Sequence, residues 1–212
     1  MPLGGARRRL AEELRRKGIN DSAVLAAIEA TPRHFFVPSG VAHRAYEDSP
    51  IPIGSGQTIS QPFVHARSLE LLRLSESDRV LEVGTGSGYQ TALLARLARH
   101  VYSIERVPAL HEGAAAALRS LGVGNVTLEC SDGTAGWPEH APFDAIVVSA
   151  GAPDIPAPLV EQMAAGGRMV VPVGARGEQT IALLERTGNR IVRRDFDAVR
   201  FVPLIGEHGW AQ

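Results

Sequence analysis

The length and composition of the chain predict one folded domain. It has 212 residues, about one and a half times the common domain size, and 44% of them are apolar while 21% are charged. These fractions exclude a disordered chain and a collagen-like fibre, and no apolar run approaches the ~18 residues of a membrane span. The formal net charge of −1 provides no field that attracts nucleic acid or an anionic membrane, so we expect a soluble protein with neither as a partner.

The first 60 residues are predicted to form a helical cap. Residues 6–30 carry the apolar spacing of helices, which Gly18 interrupts, and Asp21 has the residue type and position of a helix start. Prolines at positions 32, 38, 50 and 52 then predict an ordered but irregular connection. It leads into a polar stretch at 54–62, and residues 63–74 are predicted to form a further helix.

From residue 79 onwards, short apolar β-type runs alternate with helical segments. The predicted strands are 79–83, 101–105, 126–129, 143–148 and 168–173, and the predicted helices are 90–99, 108–121 and 156–165. This alternation predicts a parallel, doubly wound α/β sheet in three layers. Two further β-like segments, 179–185 and 191–196, have no helix between them and are expected to form an antiparallel edge. We therefore expect one domain over 1–212, with the cap and substrate-side segment at 1–60 and a cofactor-binding core at 61–212.

A glycine-rich loop after the first strand of this core points to an adenosine-containing cofactor. The loop, Gly84-Thr85-Gly86-Ser87-Gly88, follows Glu82, and Glu105 ends the next strand. Glycines let a ligand approach the backbone, and a carboxylate at that strand end can accept hydrogen bonds from both ribose hydroxyls. A tight turn for the loop and an exposed acid flanking a helix for Glu105 are the structural alternatives.

The spacing of this loop favours S-adenosylmethionine over a dinucleotide. Residue 89 is Tyr where the dinucleotide fingerprint has its third Gly. Glu82 would repel a pyrophosphate but could accept hydrogen bonds from a cationic aminoacyl group. S-adenosylmethionine has an ammonium and no phosphate, so it is the cofactor we expect.

Asp132, Cys130 and the histidines give weaker signals. Asp132, which precedes Gly133 after the third strand, could accept from an adenine amino group, although Asp-Gly is often only a turn. Cys130 is expected to be a small buried apolar side chain, and as the single cysteine it cannot form an internal disulfide, which fits a reducing cytoplasm. The seven histidines lie far apart, so no metal is expected.

Four stretches of the chain together form the pattern of a known enzyme family. The most specific is Gly56-Gln57-Thr58-Ile59-Ser60-Gln61-Pro62, with residues 48–54 before it and His65 after it. The others are residues 31–38, 81–90 and 200–204. With these stretches in this order, the chain resembles the protein-L-isoaspartate O-methyltransferases of the bacterial type over nearly its whole length.

This resemblance implies a class I methyltransferase with a Rossmann-like sheet that uses S-adenosylmethionine and releases S-adenosylhomocysteine. Such an enzyme methylates the free α-carboxylate of L-isoaspartyl residues in aged or unfolded proteins and peptides. The ester then collapses to a succinimide, whose hydrolysis returns some aspartate, so methylation initiates repair. By position, the resemblance implies Ser60 in the active site, and we expect a monomer in the cytoplasm. Together with Glu82, the candidate cofactor residues are Thr58, Ile59, His65, Gly84, Gly86, Ser87, Glu105, Asp132 and Gly133.

Ser60 is expected to orient the substrate rather than to attack it. A carboxylate acceptor with a reference pKa near ~4 is already ionised at neutral pH, so methyl transfer requires no general base. The structural alternative for Ser60 is an N-cap of the helix that begins near Pro62, and both roles can coexist. Two other functions are weighed: a methyltransferase of different substrate on the same fold, and a non-catalytic module that binds the cofactor.

Overall fold

The structure is a computed structural model that describes residues 3–211, so residues 1, 2 and 212 of the expected domain lie outside the described part. Its helices are α1 (Leu3–Arg16), α2 (Ser22–Ala30), α3 (Pro62–Leu72), α4 (Tyr89–Leu97), α5 (Pro108–Ser120) and α6 (Ala157–Glu161). Its strands are β1 (Ile51–Gly54), β2 (Gln57–Ile59), β3 (Arg79–Val83), β4 (His100–Ile104), β5 (Val126–Glu129), β6 (Phe143–Val148), β7 (Met163–Ala175), β8 (Glu178–Thr187) and β9 (Arg190–Val199). Short 3-10 turns occupy Arg33–Phe36, Ser39–Arg44, Gly133–Ala135 and Pro138–His140.

The central sheet has seven strands in the order β5-β4-β3-β6-β7-β8-β9. The strands from β5 to β7 are parallel to one another, while β8 and β9 are antiparallel to their neighbours. Both the predicted parallel sheet and its predicted antiparallel edge are therefore confirmed.

Side chains that alternate along the strands build a core on each face of the sheet. On β3, Val80 belongs to the apolar cluster that α1 to α4 cover, and Leu81 belongs to the cluster on the opposite face that contains Leu159 of α6. Both Val80 and Leu81 are fully buried, because parallel strands are covered on both sides. This is the expected three-layer arrangement.

The N-terminal helices pack on one face of this sheet. Asp21 is the N-cap of α2, and its Oδ1 accepts hydrogen bonds from the backbone N–H groups of Ala23 at 2.8 Å and Val24 at 3.1 Å, which confirms the predicted helix start. Helix α2 contacts both α3 and α4. The expected irregular connection contains an element that the sequence analysis missed, the antiparallel hairpin β1–β2, in which Ile51 pairs with Ile59.

Two predictions are corrected by the structure. The helix expected over 156–165 ends at Glu161, because Met163 pairs with Phe143 and begins β7, and Gly166 and Gly167 disfavour helix. The four residues from 164 to 167 are absorbed by a register shift between β6 and β7. Cys130 is exposed rather than buried, because it lies just beyond the end of β5.

Candidate active site

A cavity with about 880 Å³ of empty space, part of it open to solvent, lies at the carboxyl ends of β3, β4 and β6. The chain passes from β3 through α4 to β4 on one side, whereas β6 lies on the other side of β3, so the strand order reverses between β3 and β6. Open α/β sheets bind ligands at such a switch point. The topology alone therefore selects this cavity as the candidate active site.

All but two of the predicted site residues line this cavity. They are Thr58, Ile59, Ser60, His65, Gly84, Gly86, Ser87, Glu105 and Gly133. The hairpin strand β2 supplies the first part of this set, the loops after β3, β4 and β5 supply most of the rest, and His65 comes from the first turn of α3. Segments that are distant in sequence thus converge at one edge of the sheet.

Backbone N–H groups hold the Glu105 carboxylate in an orientation in which its oxygens can accept further hydrogen bonds. Its Oε2 accepts from the N–H of Gly86 at 2.8 Å, and its Oε1 accepts from the N–H of Val107 at 2.9 Å. Gly86, at a φ of 55°, adopts the left-handed conformation that directs this N–H at the carboxylate. Because each carboxylate oxygen has two lone-pair sites, Glu105 retains acceptor capacity toward the cavity it lines.

Glu82 lies beneath the cavity instead of in its wall. It is fully buried, and its carboxylate accepts hydrogen bonds from Thr91 Oγ1 at 2.6 Å, Ser103 Oγ at 2.6 Å and Gln90 Nε2 at 3.2 Å. Burial raises the pKa of Glu82 to about 7, against the opposing effect of these three donors. The predicted direct contact between Glu82 and a cationic aminoacyl group is therefore contradicted, because the side chain is enclosed by its own donors.

Asp132 is also absent from the cavity wall. Its Oδ1 accepts from the N–H of Thr134 at 2.9 Å and its Oδ2 from the N–H of Glu207 at 2.8 Å, and it lies in a neighbouring shallow depression. Partial burial opposes ionisation, but the bonds from Glu207 and Thr134 hold the pKa of Asp132 below its usual value. The carboxylate caps a 3-10 turn beside the cavity, and its contact with adenine stays a prediction.

Gly133, next to Asp132, lies at a close approach that only glycine permits. A Cβ atom at this position would stand 2.7 Å from Val83 Cγ1. Gly133 lines the cavity, and its contact with the cofactor stays a prediction.

Two partly buried hydrogen bonds hold the segment that carries Ser60. Arg33 Nη2 donates to the carbonyl oxygen of Ser60 at 3.0 Å, and Asp48 Oδ1 accepts from the N–H of Phe63 at 2.8 Å. The N-cap residue of α3 is Gln61, and Asp48 supplies the acceptor that the helix start needs. The alternative in which Ser60 is the N-cap is therefore wrong, and its side chain is available to the cavity.

His65 presents a neutral imidazole to the cavity. Burial lowers the pKa of His65 to about 3, and the nearby charge of Arg33 acts in the same direction. Its Nδ1 is buried and has no hydrogen-bond partner among residues 3–211.

The cavity wall also contains residues that the sequence analysis did not assign. They include Gln57, Gln90, Ser149, Ala150 and the segment 202–205. The C-terminal segment reaches the site because Leu204 N–H bonds to the carbonyl of Gly151 at 2.9 Å, beside the end of β6. Ser149 could have been found from the sequence, because it directly follows the predicted strand 143–148, which flanks the switch point.

A second, more open groove adjoins the cavity. It is lined mainly by the far side of β2, the start of α3 and the segments around residues 176–181 and 197–202. Four residues line both spaces, and we call them the shared wall: Thr58, Ser60, Ser149 and Val202. Three of the four carry a hydroxyl group, so a molecule in the cavity and a molecule in the groove would meet at hydrogen-bonding side chains.

No helix within the described residues 3–211 has both the length and the apolar content to cross a bilayer. No set of three or more His, Cys, Asp or Glu side chains in that part of the chain is placed to bind a metal ion.

The chain is similar to known proteins along nearly its whole length. The family profile of protein-L-isoaspartate(D-aspartate) O-methyltransferases matches residues 6–209. Protein-L-isoaspartate O-methyltransferase 2 of Pelobacter propionicus is 53% identical over 203 residues, which cover 95% of this chain and 90% of the relative. Protein-L-isoaspartate O-methyltransferase of Roseiflexus castenholzii is 51% identical over 210 residues, which cover 99% and 96%. A Plasmodium falciparum crystal structure, described as this type of enzyme in complex with S-adenosyl-L-homocysteine, has a TM-score of 0.82 at 27% identity and covers 94% of this chain and 98% of its own.

Proposed function

The chain belongs to the protein-L-isoaspartate O-methyltransferase family, and we propose that its cavity is where it transfers a methyl group from S-adenosylmethionine to the free α-carboxylate of L-isoaspartyl residues in proteins and peptides. It is an S-adenosylmethionine-dependent enzyme with the class I methyltransferase fold. The ester product would collapse to a succinimide and so initiate repair of the damaged residue. The observation that carries the proposed site is the shared wall, where Ser60 faces both the cavity and the groove.

The residues present fit S-adenosylmethionine. The Glu105 carboxylate has acceptor capacity for ribose hydroxyls, and the His65 side chain and the backbone at Gly133 line the same cavity. Thr58, Ile59, Gly84, Gly86 and Ser87 would complete the contacts. When bound, the cofactor supplies a methyl group on a positively charged sulfur.

The chain's own residues need only align the acceptor. An α-carboxylate is ionised at neutral pH, and His65 is neutral there, so neither a general base nor a charged imidazole takes part. Ser60 would donate a hydrogen bond to the carboxylate, and Arg33 and Asp48 hold the segment that carries it. Such alignment can contribute roughly 7–11 kcal/mol at best to lowering the barrier.

The groove beyond the shared wall is the proposed peptide site. In an isoaspartyl residue the main chain runs through the β-carboxyl group and the free acid hangs from Cα, whereas the acid of aspartate lies one carbon further out. A groove that holds the peptide backbone would therefore align only the isoaspartyl acid. Because the groove is open, extended segments of unfolded or aged proteins are the proposed substrates.

Two expectations on state and location belong to the same proposal. A single chain already brings together the cavity, the shared wall and the groove, which supports action as a monomer. Cys130 is a free thiol on the surface, a state that the reducing cytoplasm maintains.

The proposed function is tested by turnover of labelled S-adenosylmethionine with two peptides that differ only in isoaspartate or aspartate at one position. A misplacement of ~1 Å can cost ~100-fold in rate, so kcat/KM should fall by at least about that factor with aspartate. Equal methylation of both would indicate a general carboxyl methyltransferase. Cofactor binding without any turnover would indicate a non-catalytic binding module.

A further inference from the structure

Ser149 belongs to the shared wall together with Ser60. It directly follows β6 at the switch point, and its N–H donates to the carbonyl of Val83 at 2.8 Å, which fixes its backbone beside the glycine loop. Its side chain is half-buried and lines both the cavity and the groove. Ser149 therefore stands where the methyl donor and the acceptor carboxylate must meet.

A chain of hydrogen bonds from beneath the cavity determines which way the Ser149 hydroxyl can donate. Gln90 Nε2 donates to Glu82 Oε1 at 3.2 Å and to Ser149 Oγ at 2.7 Å. In this orientation the Gln90 amide directs one N–H at Glu82 and the other at Ser149. Gln90 is the only hydrogen-bond partner of the Ser149 hydroxyl within residues 3–211, and there Ser149 accepts. The proton of that hydroxyl is left free for another acceptor.

The acceptor carboxylate needs more than one donor. A carboxylate removed from water loses its solvation unless protein donors replace it, and its two oxygens cannot both be satisfied by Ser60. The two arginines of the groove, Arg176 and Arg200, are exposed, and each donates one hydrogen bond to a carbonyl group, that of Ala211 at 3.1 Å and that of Gly177 at 3.0 Å. A neutral hydroxyl also orients a carboxylate without neutralising the charge that makes it a nucleophile.

Resting on the proposed function, we infer that Ser149 is a second substrate-binding residue. Its hydroxyl donates to the carboxylate oxygen of the isoaspartyl residue that does not receive the methyl group, opposite Ser60. Gln90 is then a positioning residue, which acts on the substrate through Ser149. In the transfer the other carboxylate oxygen would form a bond to the methyl carbon as the sulfur–methyl bond breaks, so a neutral ester and a neutral thioether result and no proton is exchanged.

The test compares Ser149→Ala, Ser149→Thr and Ser149→Cys in steady-state turnover of an isoaspartyl peptide, with cofactor Kd measured by calorimetry. Loss of one hydrogen bond to a charged group should lower kcat/KM by about ten- to a hundredfold in Ser149→Ala and Ser149→Cys. The fall should lie mainly in kcat, and cofactor Kd should stay within about twofold. Ser149→Thr keeps the hydroxyl and should retain most activity. Ser120→Ala, an exposed serine at the end of α5, is the matched control and should be unchanged.

A double-mutant cycle tests the positioning role. Gln90→Met should lower kcat/KM in the parent protein but have little further effect in Ser149→Ala, because Gln90 acts through that hydroxyl. Thermal melting of each variant separates this effect from loss of the contact to Glu82. Additive losses would overturn the positioning role of Gln90.

Each remaining outcome has a distinct meaning. Absence of turnover by the parent protein would overturn the proposed function and this inference with it. Turnover by the parent with unchanged Ser149→Ala, or equal activity of the Thr and Cys variants, would overturn the inference alone. A rise in cofactor Kd that equals the loss in kcat/KM would make Ser149 a cofactor contact and overturn it as well.

Discussion

The guanidinium of Arg33 donates a hydrogen bond from Nη2 to the carbonyl oxygen of Ser60 at 3.0 Å. Arg33 is fully buried, and its Cζ also lies 5.4 Å from the centre of the Tyr89 ring. Burial lowers the pKa of Arg33 to about 10, which still leaves it charged at neutral pH. The stretch 31–38, which resembled the family without an assigned role, thus reaches the active site through one side chain.

Arg33→Met should reduce both stability and turnover. The carbonyl of Ser60 would lose its buried donor, and an unsatisfied buried acceptor costs about 1–3 kcal/mol. Denaturant unfolding should show a loss of that size, and kcat should fall in protein that is still folded. Arg9→Met, an exposed arginine of α1, is the control that removes a charge and should change neither quantity. Full turnover by a folded Arg33→Met would show that the Ser60 segment needs no such anchor.

Glu105→Ala should weaken cofactor binding by tenfold or more. Two charge-assisted hydrogen bonds to ribose hydroxyls would be lost, each worth ~1.5–3 kcal/mol. Part of the effect would come from the N–H groups of Gly86 and Val107, which lose their acceptor. Glu105→Gln keeps one acceptor oxygen and should lie between Ala and the parent. Calorimetric titration gives the comparison, and unchanged affinity in both variants would contradict the ribose assignment.

Ser60→Ala should lower turnover while both cofactor affinity and stability stay near those of the parent. Loss of an N-cap would cost ~1 kcal/mol, but the acceptor at the start of α3 is Asp48, so no such loss is expected. Asp48→Ala is the matched comparison, since it removes the acceptor and should lower the midpoint of thermal unfolding. If Ser60→Ala melted as early as Asp48→Ala, the assignment of the cap would be wrong.

Glu82 should make the protein less stable as pH rises between about 4.5 and 7. The folded-state pKa is raised by burial, so in this window the folded state binds a proton that the unfolded state has lost. The difference corresponds to about 3 kcal/mol at most. His65 acts in the opposite direction between about 3 and 6.5, because its lowered pKa makes the unfolded state bind the extra proton there.

Glu82→Gln isolates the first of these effects. The stability of the parent minus that of the variant, measured by denaturant unfolding at several pH values, should decrease from about pH 4.5 to 7 and then level off. His65 is present in both proteins, so its contribution cancels in the difference. A difference that does not vary over this range would be incompatible with a raised pKa for Glu82.

The local sequence pattern was sufficient to predict the bounds of an element wherever the structure of that segment depends on its own residues. Strand β3 at Arg79–Val83 and strand β5 at Val126–Glu129 have the bounds expected from sequence, because each is a short apolar run between turns. The hairpin β1–β2 was missed because Pro52 and a three-residue partner strand give no alternation to detect. At α6, pairing of Met163 with Phe143 overrides a helical composition that continues to Ala165.

In the site, too, only features that depend on neighbouring residues could be predicted from the sequence. The glycine loop and Glu105 could be assigned because a strand-to-helix turn and a strand end are local features. The burial of Glu82 could not, because its donors Thr91 and Ser103 come from two other segments that the sheet brings together. Charge can be read from the sequence, whereas enclosure by distant donors cannot.

Asp48 joins three segments of the chain through one carboxylate. It accepts from the N–H of Phe63 at 2.8 Å and from Gln61 Nε2 at 3.0 Å, and it pairs with Lys17 Nζ at 2.6 Å. Together with the hydrogen bond from Arg33 to the carbonyl of Ser60, these contacts order the backbone around Ser60 when the chain folds. The conformational entropy lost in ordering the Ser60 segment is therefore lost during folding, so it does not weaken peptide binding. On binding, only the peptide then has to lose conformational freedom. A stiff loop of a folded substrate protein is therefore disfavoured when its own rigidity prevents it from adopting the bound conformation.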